Sequence, residues 1–204
     1  MFKIDNFDGV IVCASKYFNP SEMLEIKKLG INDFGENRVQ DLLAKQKELV
    51  ESNIIWHFIG KLQTNKIKSM INTIDYLHSL ESIAQAELIE KYRDKPLFVF
   101  IQVNISDEEQ KSGINPNNLA QFINELKKYD KIVLIGLMTI GVLDNLEKTE
   151  KVFNELSKLK DKYNLKYLSM GMTGDYELAI KHGSTHLRLG TYFKNLVGGN
   201  DGII

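Results

Sequence analysis

The chain has 204 residues with 26 basic and 27 acidic side chains, so its formal net charge is −1. A nearly neutral chain gives no overall electrostatic reason to expect a nucleic-acid or anionic-membrane partner. No apolar run approaches the roughly 20 residues that cross a bilayer, and Cys13 is the only cysteine, which excludes a disulfide within the chain. The N-terminus lacks the pattern of a signal peptide, so we predict a cytoplasmic protein.

Eight short runs rich in β-branched and aromatic residues alternate with amphipathic stretches. Several runs are continuously apolar, which is typical of strands buried on both faces of a parallel sheet. The amphipathic stretches predict helices, and no linker divides the chain, so we expect one domain over residues 1–204. The predicted strands are 10–15, 31–36, 54–60, 73–79, 97–104, 132–139, 165–171 and 184–190, and the predicted helices lie within 20–30, 37–52, 81–94, 115–130, 146–163 and 174–183.

Alternating strands and helices are compatible with a closed (β/α)₈ barrel or with an open doubly wound sheet. No G-x-G-x-x-G motif follows the first strand, which removes the usual reason to choose a dinucleotide-binding sheet. Polar residues recur at the ends of almost all strands, and a barrel would bring these ends together at one mouth. This pattern favours an α/β fold of the (β/α)₈ TIM-barrel type, with these residues at its mouth: Lys16, Glu36, Asn37, His57, His78, Ser79, Asn104, Thr139 and Arg188.

Lys16 follows the first apolar strand, where a lysine is unexpected. The alternation of a strand puts Val12, Ala14 and Lys16 on one side. If that side is the barrel interior, the Lys16 amine enters the mouth, is partly desolvated and can attack an aldehyde to form a Schiff base. The alternative is a lysine whose amine simply reaches solvent at the end of a strand, which is the commoner case.

The last strand gives a second indication of a binding site. His186, Arg188 and Gly190 share one face, and Thr191 follows. Barrels often bind a phosphate group beside strands seven and eight. A glycine-rich turn at Gly174 precedes a predicted helix, and backbone amides in such a turn can bind an anion. The alternative is a loop that needs glycine only in order to turn.

The sequence gives little support for a metal site, a hydrolase nucleophile or a nucleotide-binding loop. His57 alone is typical of a core or rim histidine, although the polar segments 34–40 and 56–66 lie at adjacent strand ends. No C-x-x-C pair accompanies the four histidines, so no metal site is predicted. Neither a G-x-S-x-G elbow nor a Walker loop is present.

Six sequence strings together resemble the pyridoxal 5'-phosphate (PLP) homeostasis proteins, the YggS/PROSC family. The likeness extends from about Val10 to about Phe193, and it implies an alanine-racemase-like barrel that binds PLP as a Schiff base. The strings are FGENRVQ (34–40), WHFIGKLQTNK (56–66), KSG (111–113), GLMTI (136–140), SMGMTGDYELAI (169–180) and RLGT (188–191).

The resemblance implies that Lys16 holds the cofactor and that Arg188 faces its pyridine nitrogen. The family more often has threonine where this chain has Tyr17, and its members usually carry a helix before the first strand. Here eight residues precede Gly9, so we expect a shortened N-terminus whose loss is compensated elsewhere. The other cofactor-binding residues that the resemblance implies are Asn37 and His57, lining the cofactor, and Ser169, Met170, Thr173, Gly190 and Thr191, in the region that holds the phosphate.

The predicted function is intracellular carriage of PLP rather than robust catalysis. An arginine stays protonated, so the ring nitrogen would accept a hydrogen bond and the ring would be a weaker electron sink. The chain ends fourteen residues after Gly190, without the extra C-terminal domain that supplies the second base in alanine racemases. We therefore expect a monomeric carrier with PLP-dependent apo-enzymes as candidate recipients. The alternatives are a weak amino-acid racemase or lyase, and an interaction protein whose cofactor site has decayed.

Overall fold

Eight parallel strands form a closed barrel in the computed structural model, which describes residues 2–106 and 112–197. Each strand pairs with the next, and the eighth pairs with the first, which confirms the predicted TIM-barrel architecture. Lys111 of the KSG string lies outside the described residues. The strands are β1 Val10–Ala14, β2 Asp33–Glu36, β3 Ile55–Phe58, β4 Tyr76–Leu80, β5 Leu97–Gln102, β6 Ile132–Met138, β7 Tyr167–Ser169 and β8 His186–Leu189.

Helices lie outside the barrel and cover the outer faces of the strands. The six predicted helices are present, and two short helices, α3 and α8, were not predicted. In the described part of the chain, no helix is long and apolar enough to span a membrane. The helices are α1 Pro20–Lys28, α2 Val39–Glu48, α3 Ile67–Met70, α4 Ile83–Tyr92, α5 Leu119–Leu126, α6 Leu146–Lys162, α7 Tyr176–Lys181 and α8 Thr191–Val197.

The start of α1 is fixed by its own sequence. Asn19 Oδ1 accepts a hydrogen bond of 3.0 Å from the Glu22 backbone N–H, and Glu22 Oε2 accepts one of 2.8 Å from the Asn19 N–H. This reciprocal capping box, with Pro20 in the first helical turn, ends the loop after β1 at a defined point. The segment that carries Lys16 is therefore held between a strand and a capped helix.

The register of the closure between β1 and β8 determines which side chains meet. Val10 pairs with His186, and Val12 pairs with Arg188. Both strands run in the same direction, so the loops that follow them lie next to each other at the carboxyl ends of the strands. The closure thus brings the first and last strands of the barrel together at its mouth.

Aromatic and imidazole rings fill the interior of the barrel. The His57 and Tyr76 rings stack with their centroids 4.5 Å apart, and the His78 ring lies 4.5 Å from that of Phe100. The Phe100 ring in turn contacts the His186 ring at 5.0 Å. His57 and His78 were predicted at the mouth, and this placement is wrong, because both residues lie within strands whose inward faces form these interior layers.

The buried His186 predicts a loss of stability in acid. Its side chain is 4% exposed, and its Nδ1 lies 2.9 Å from Thr185 Oγ1. Burial is the main cause that lowers the pKa of His186 to about 4, followed by the repulsion that a protonated His57 would exert. The Asp33 carboxylate opposes this shift, and the Arg188 cation adds to it. The unfolded chain takes up a proton near pH 6.5 and the folded one does not, so the free energy of unfolding decreases as the pH falls from about 6.5 towards 4.

We expect His186 to account for a loss on the order of 2 kcal/mol between pH 7 and pH 5. Urea unfolding of the wild type and of His186→Phe at both pH values measures this contribution. The phenylalanine keeps a ring among the interior rings but cannot titrate. An equal loss of stability in the two proteins would contradict the expectation.

Candidate functional site

A cavity of about 260 Å³ opens at the carboxyl ends of the strands. It lies where the loops after β1, β2, β3, β6, β7 and β8 meet, and two further hollows of the mouth share some of its lining residues. Six of the nine residues predicted to bind the cofactor line this cavity, namely Lys16, Asn37, Thr173, Arg188, Gly190 and Thr191.

The other three predicted residues do not line the cavity. Ser169 is fully buried at the end of β7, where it contacts Arg188, and His57 is fully buried inside the barrel. The Met170 side chain packs in the hydrophobic core, and the Met170 backbone carbonyl accepts a hydrogen bond of 2.6 Å from Ser184 Oγ. These three side chains therefore lie behind the cavity wall.

Lys16 reaches the cavity by a different route from the one predicted. The strand ends at Ala14, and Ser15–Tyr17 form a 3₁₀ turn, so the alternation does not continue to Lys16. The side chain is exposed at the lip of the cavity rather than partly desolvated inside it. The Lys16 Nζ lies 4.8 Å from the centroid of the Tyr17 ring.

A buried ion pair holds the turn that carries Lys16. Glu36 is fully buried, and its Oε1 lies 2.5 Å from Lys45 Nζ and 2.9 Å from Ser15 Oγ. Lys45 Nζ also donates to the Ser15 carbonyl oxygen at 2.6 Å. Glu36 Oε2 accepts a hydrogen bond of 3.2 Å from the Asn37 backbone N–H. One carboxylate therefore fixes both Lys16 and Asn37 relative to the barrel.

Arg188 presents a buried cation to the same cavity. Its Nη1 donates to Ser169 Oγ at 2.7 Å, and its Nη2 donates to the Thr139 carbonyl oxygen at 3.0 Å. Burial lowers the pKa of Arg188 to about 10, against the opposing effect of Asp175. The guanidinium therefore stays protonated at neutral pH and can only donate hydrogen bonds.

The loops after β7 and β8 form a polar corner of the cavity. Thr173 Oγ1 accepts a hydrogen bond of 3.2 Å from the Tyr192 backbone N–H, which joins the two loops. A Cβ at Gly190 would lie 2.6 Å from Tyr17 Cε2, so only glycine allows Tyr17 to pack against this loop. Thr191 follows with its own backbone N–H and hydroxyl group.

Asn37 provides an unsatisfied polar atom in the wall of the cavity. Among the described residues, its buried Oδ1 has no hydrogen-bond partner. Its backbone is held in place by Gly60, where a Cβ would lie 2.1 Å from the Asn37 carbonyl oxygen. A buried amide oxygen without a partner is costly, so the cavity is suited to a ligand that donates a hydrogen bond there.

A chain of hydrogen bonds continues from Arg188 into the barrel. Ser169 Oγ lies 2.7 Å from His78 Nδ1, and His78 Nε2 lies 2.8 Å from His57 Nδ1. His57 Nε2 lies 2.9 Å from Asp33 Oδ1. No group of three or more His, Cys, Asp or Glu residues in the described ranges is arranged to hold a metal ion. The histidines thus bond to one another and to Ser169.

Proteins of similar sequence identify the family of this chain. The alanine racemase N-terminal domain family matches residues 20–194. The pyridoxal phosphate homeostasis protein of Aquifex aeolicus is 39% identical over 188 residues, covering 87% of this chain and 82% of that protein. The protein of the same name from Schizosaccharomyces pombe is 37% identical, covering 91% of this chain and 84% of that protein. The chain belongs to the pyridoxal phosphate homeostasis protein family.

Solved structures agree with this family and its fold. PipY of Synechococcus elongatus, a structure with PLP bound, is similar with a TM-score of 0.82 and 29% identity, covering 93% of this chain and 92% of that one. The alanine racemase of Corynebacterium glutamicum has a TM-score of 0.73 at 13% identity. This chain covers 56% of the racemase, which shares its barrel fold.

Because its ion pair is buried, replacing Lys45 should destabilise the protein much more than replacing an exposed lysine. Lys45→Met leaves the buried Glu36 carboxylate without its cation, and we expect the free energy of unfolding to decrease by about 3–5 kcal/mol. The matched control is Lys28→Met, which breaks an exposed pair with Glu25 and should cost less than about 1 kcal/mol. Urea unfolding at pH 7 measures both, and equal midpoints for the two variants would show that the ion pair does not stabilise the turn.

Proposed function

We propose that this protein binds PLP in the cavity at the barrel mouth and serves PLP homeostasis as a carrier of the cofactor. The observation that carries the proposal is the convergence of Lys16, Arg188 and the loops after β7 and β8 on one cavity. The PLP named in the PipY structure and the names of the curated relatives support the same ligand. The barrel would form one PLP-binding domain over residues 1–204.

The residues present fit the chemical groups of PLP. When bound, PLP supplies an aldehyde that condenses reversibly with a primary amine to form a Schiff base. Lys16 would provide that amine from the lip of the cavity. Ala14, Ile59 and Met138 give the cavity apolar surface for the ring. The unsatisfied Asn37 Oδ1 would accept a hydrogen bond from the ligand.

The polar groups of the cavity would orient the cofactor. Arg188 would donate to the pyridine nitrogen, and Ser169 and Thr139 hold the guanidinium in place. Thr173, Gly190 and Thr191 would hold the phosphate with hydroxyl and backbone N–H groups. Ser169, Met170 and His57 would support these residues from behind the wall.

Two features support carriage without robust catalysis. Arg188 stays protonated, so a ring nitrogen beside it accepts a hydrogen bond and the ring withdraws electrons weakly. The Tyr17 phenol is on the cavity wall, but its ring lies beside the Lys16 amine rather than across from it. A two-base racemase needs acid/base groups on opposite faces of the substrate carbon, so this placement of Tyr17 favours carriage over two-base racemisation.

We propose a monomer in the cytoplasm that releases PLP to apo-enzymes that depend on it. The near-neutral charge of the chain supports a role without nucleic-acid or membrane partners.

The first test is the absorption spectrum of the PLP-loaded protein. Lys16→Ala should lose the imine absorption band, because no other amine is positioned by the turn after β1. The matched control is Lys61→Ala, whose lysine lines a neighbouring hollow and should keep the band. Persistence of the band in Lys16→Ala would place the attachment at a different amine.

A weak racemase or lyase is the second candidate, favoured by the Tyr17 phenol on the cavity wall. Incubation of the loaded protein with single amino acids in heavy water distinguishes the two. We expect no more deuterium at the α-carbon than free PLP produces. Rapid incorporation that is lost in Tyr17→Phe would replace the carrier by an enzyme.

A further inference from the structure

A buried chain of polar side chains connects the cofactor cavity with the opposite end of the barrel. It runs from Arg188 through Ser169, His78 and His57 to Asp33, the first residue of β2. Ser169, His78 and His57 are fully buried. A cation stands at one end and a carboxylate at the other, with four hydrogen bonds of 2.7–2.9 Å between them.

The chemistry of the end groups sets the direction of every hydrogen bond. Arg188 can only donate, so Ser169 Oγ accepts from it and turns its single O–H towards His78 Nδ1. His78 therefore carries its hydrogen on Nε2 and donates to His57 Nδ1. His57 in turn carries its hydrogen on Nε2 and donates to the Asp33 carboxylate. All the donors and acceptors along this path are matched when both imidazoles are neutral.

The opposite direction leaves a group unsatisfied. It would require a positively charged His57 that donates to His78 Nε2, and His78 would then donate to Ser169. Ser169 would receive two hydrogen bonds, and no acceptor is left along the chain for its buried O–H. The new charge would also stand inside a barrel that already contains the Arg188 cation.

The surroundings of His78 favour its neutral state. Tyr76 stacks on His57, while the Phe100 and His186 rings face His78. Burial is the main cause that lowers the pKa of His78 well below its usual value, followed by the repulsion that a protonated His57 or His186 would exert and by the Arg188 cation. Asp33 contacts His57, at its Nε2.

We propose that His57 and His78 are positioning residues that act, as neutral Nε2–H tautomers, through Ser169 to orient the Arg188 guanidinium in the cavity. Their importance for the cofactor rests on the proposed PLP-binding function, whereas their tautomers do not depend on it. Hydrogen bonds in such a chain polarise and strengthen one another in a buried setting. Arg188 is therefore held from within the barrel at the angle it presents to a ligand.

The first experiment measures the tautomers in the PLP-free protein. Long-range ¹H–¹⁵N spectra of ¹⁵N-histidine-labelled protein at pH 7 should show His57 and His78 as neutral Nε2–H imidazoles. His186 is the internal reference and should be the Nδ1–H tautomer, because the Thr185 hydroxyl donates to the Leu168 carbonyl oxygen. A charged His57, or His78 with its hydrogen on Nδ1, would overturn the proposal whether or not PLP binds.

The second experiment breaks the chain at His78. His78→Leu removes the acceptor of the Ser169 O–H, whereas the amide oxygen of His78→Asn can replace Nδ1. We expect His78→Leu to bind PLP about tenfold more weakly, with a shifted absorption maximum, and His78→Asn to recover most of both properties. The Arg188 Nε–H resonance of the PLP-free protein should shift in His78→Leu.

The matched control is His186→Gln. His186 lies in the same barrel interior but is not part of the hydrogen-bonded path, so this variant should keep the wild-type PLP affinity, absorption maximum and Arg188 resonance. Wild-type affinity, absorption maximum and Arg188 resonance in His78→Leu would overturn the positioning role. A wild-type protein that does not bind PLP would defeat the proposed function instead, while the tautomers and the Arg188 resonance would still test the chain.

Discussion

Closure of β8 on β1 is the constraint on which the site depends. Lys16 and Arg188 are near opposite ends of the sequence. The pairing of Val12 with Arg188 brings the turn after β1, which carries Lys16, close to β8, which carries Arg188. A shift of this pairing by one residue would turn the Arg188 side chain away from the interior, because successive side chains of a strand point to opposite faces. The register of a single strand pair therefore decides whether the amine and the guanidinium share a cavity.

The barrel tolerates buried charge because each charged group has partners of defined geometry. Glu36 contacts Lys45, Ser15 and the Asn37 backbone. Arg188 donates hydrogen bonds to Ser169 Oγ and to the Thr139 carbonyl oxygen. Unpaired buried charges are very costly, so these two networks fix the walls of the cavity more strictly than apolar packing alone could.

Much of the architecture could be predicted from the sequence because buried parallel strands leave continuous apolar runs. The same logic found Lys16 and Arg188, which interrupt or follow such runs at strand ends. It failed for His57 because a polar residue inside a short strand gives no sign of how deep in the barrel it lies. Lys45 and Asp33 were missed because a helical lysine and a strand-initiating aspartate look like ordinary surface residues until the fold brings them to Glu36 and His57.

Borohydride reduction of the PLP-loaded protein, followed by mass spectrometry of its peptides, tests most directly whether the turn after β1 presents the reactive amine. Reduction fixes the cofactor to the nitrogen that holds it. The account predicts one pyridoxyl-modified lysine, at position 16. Modification at another lysine such as Lys61, or bound PLP that cannot be fixed by reduction, would contradict it.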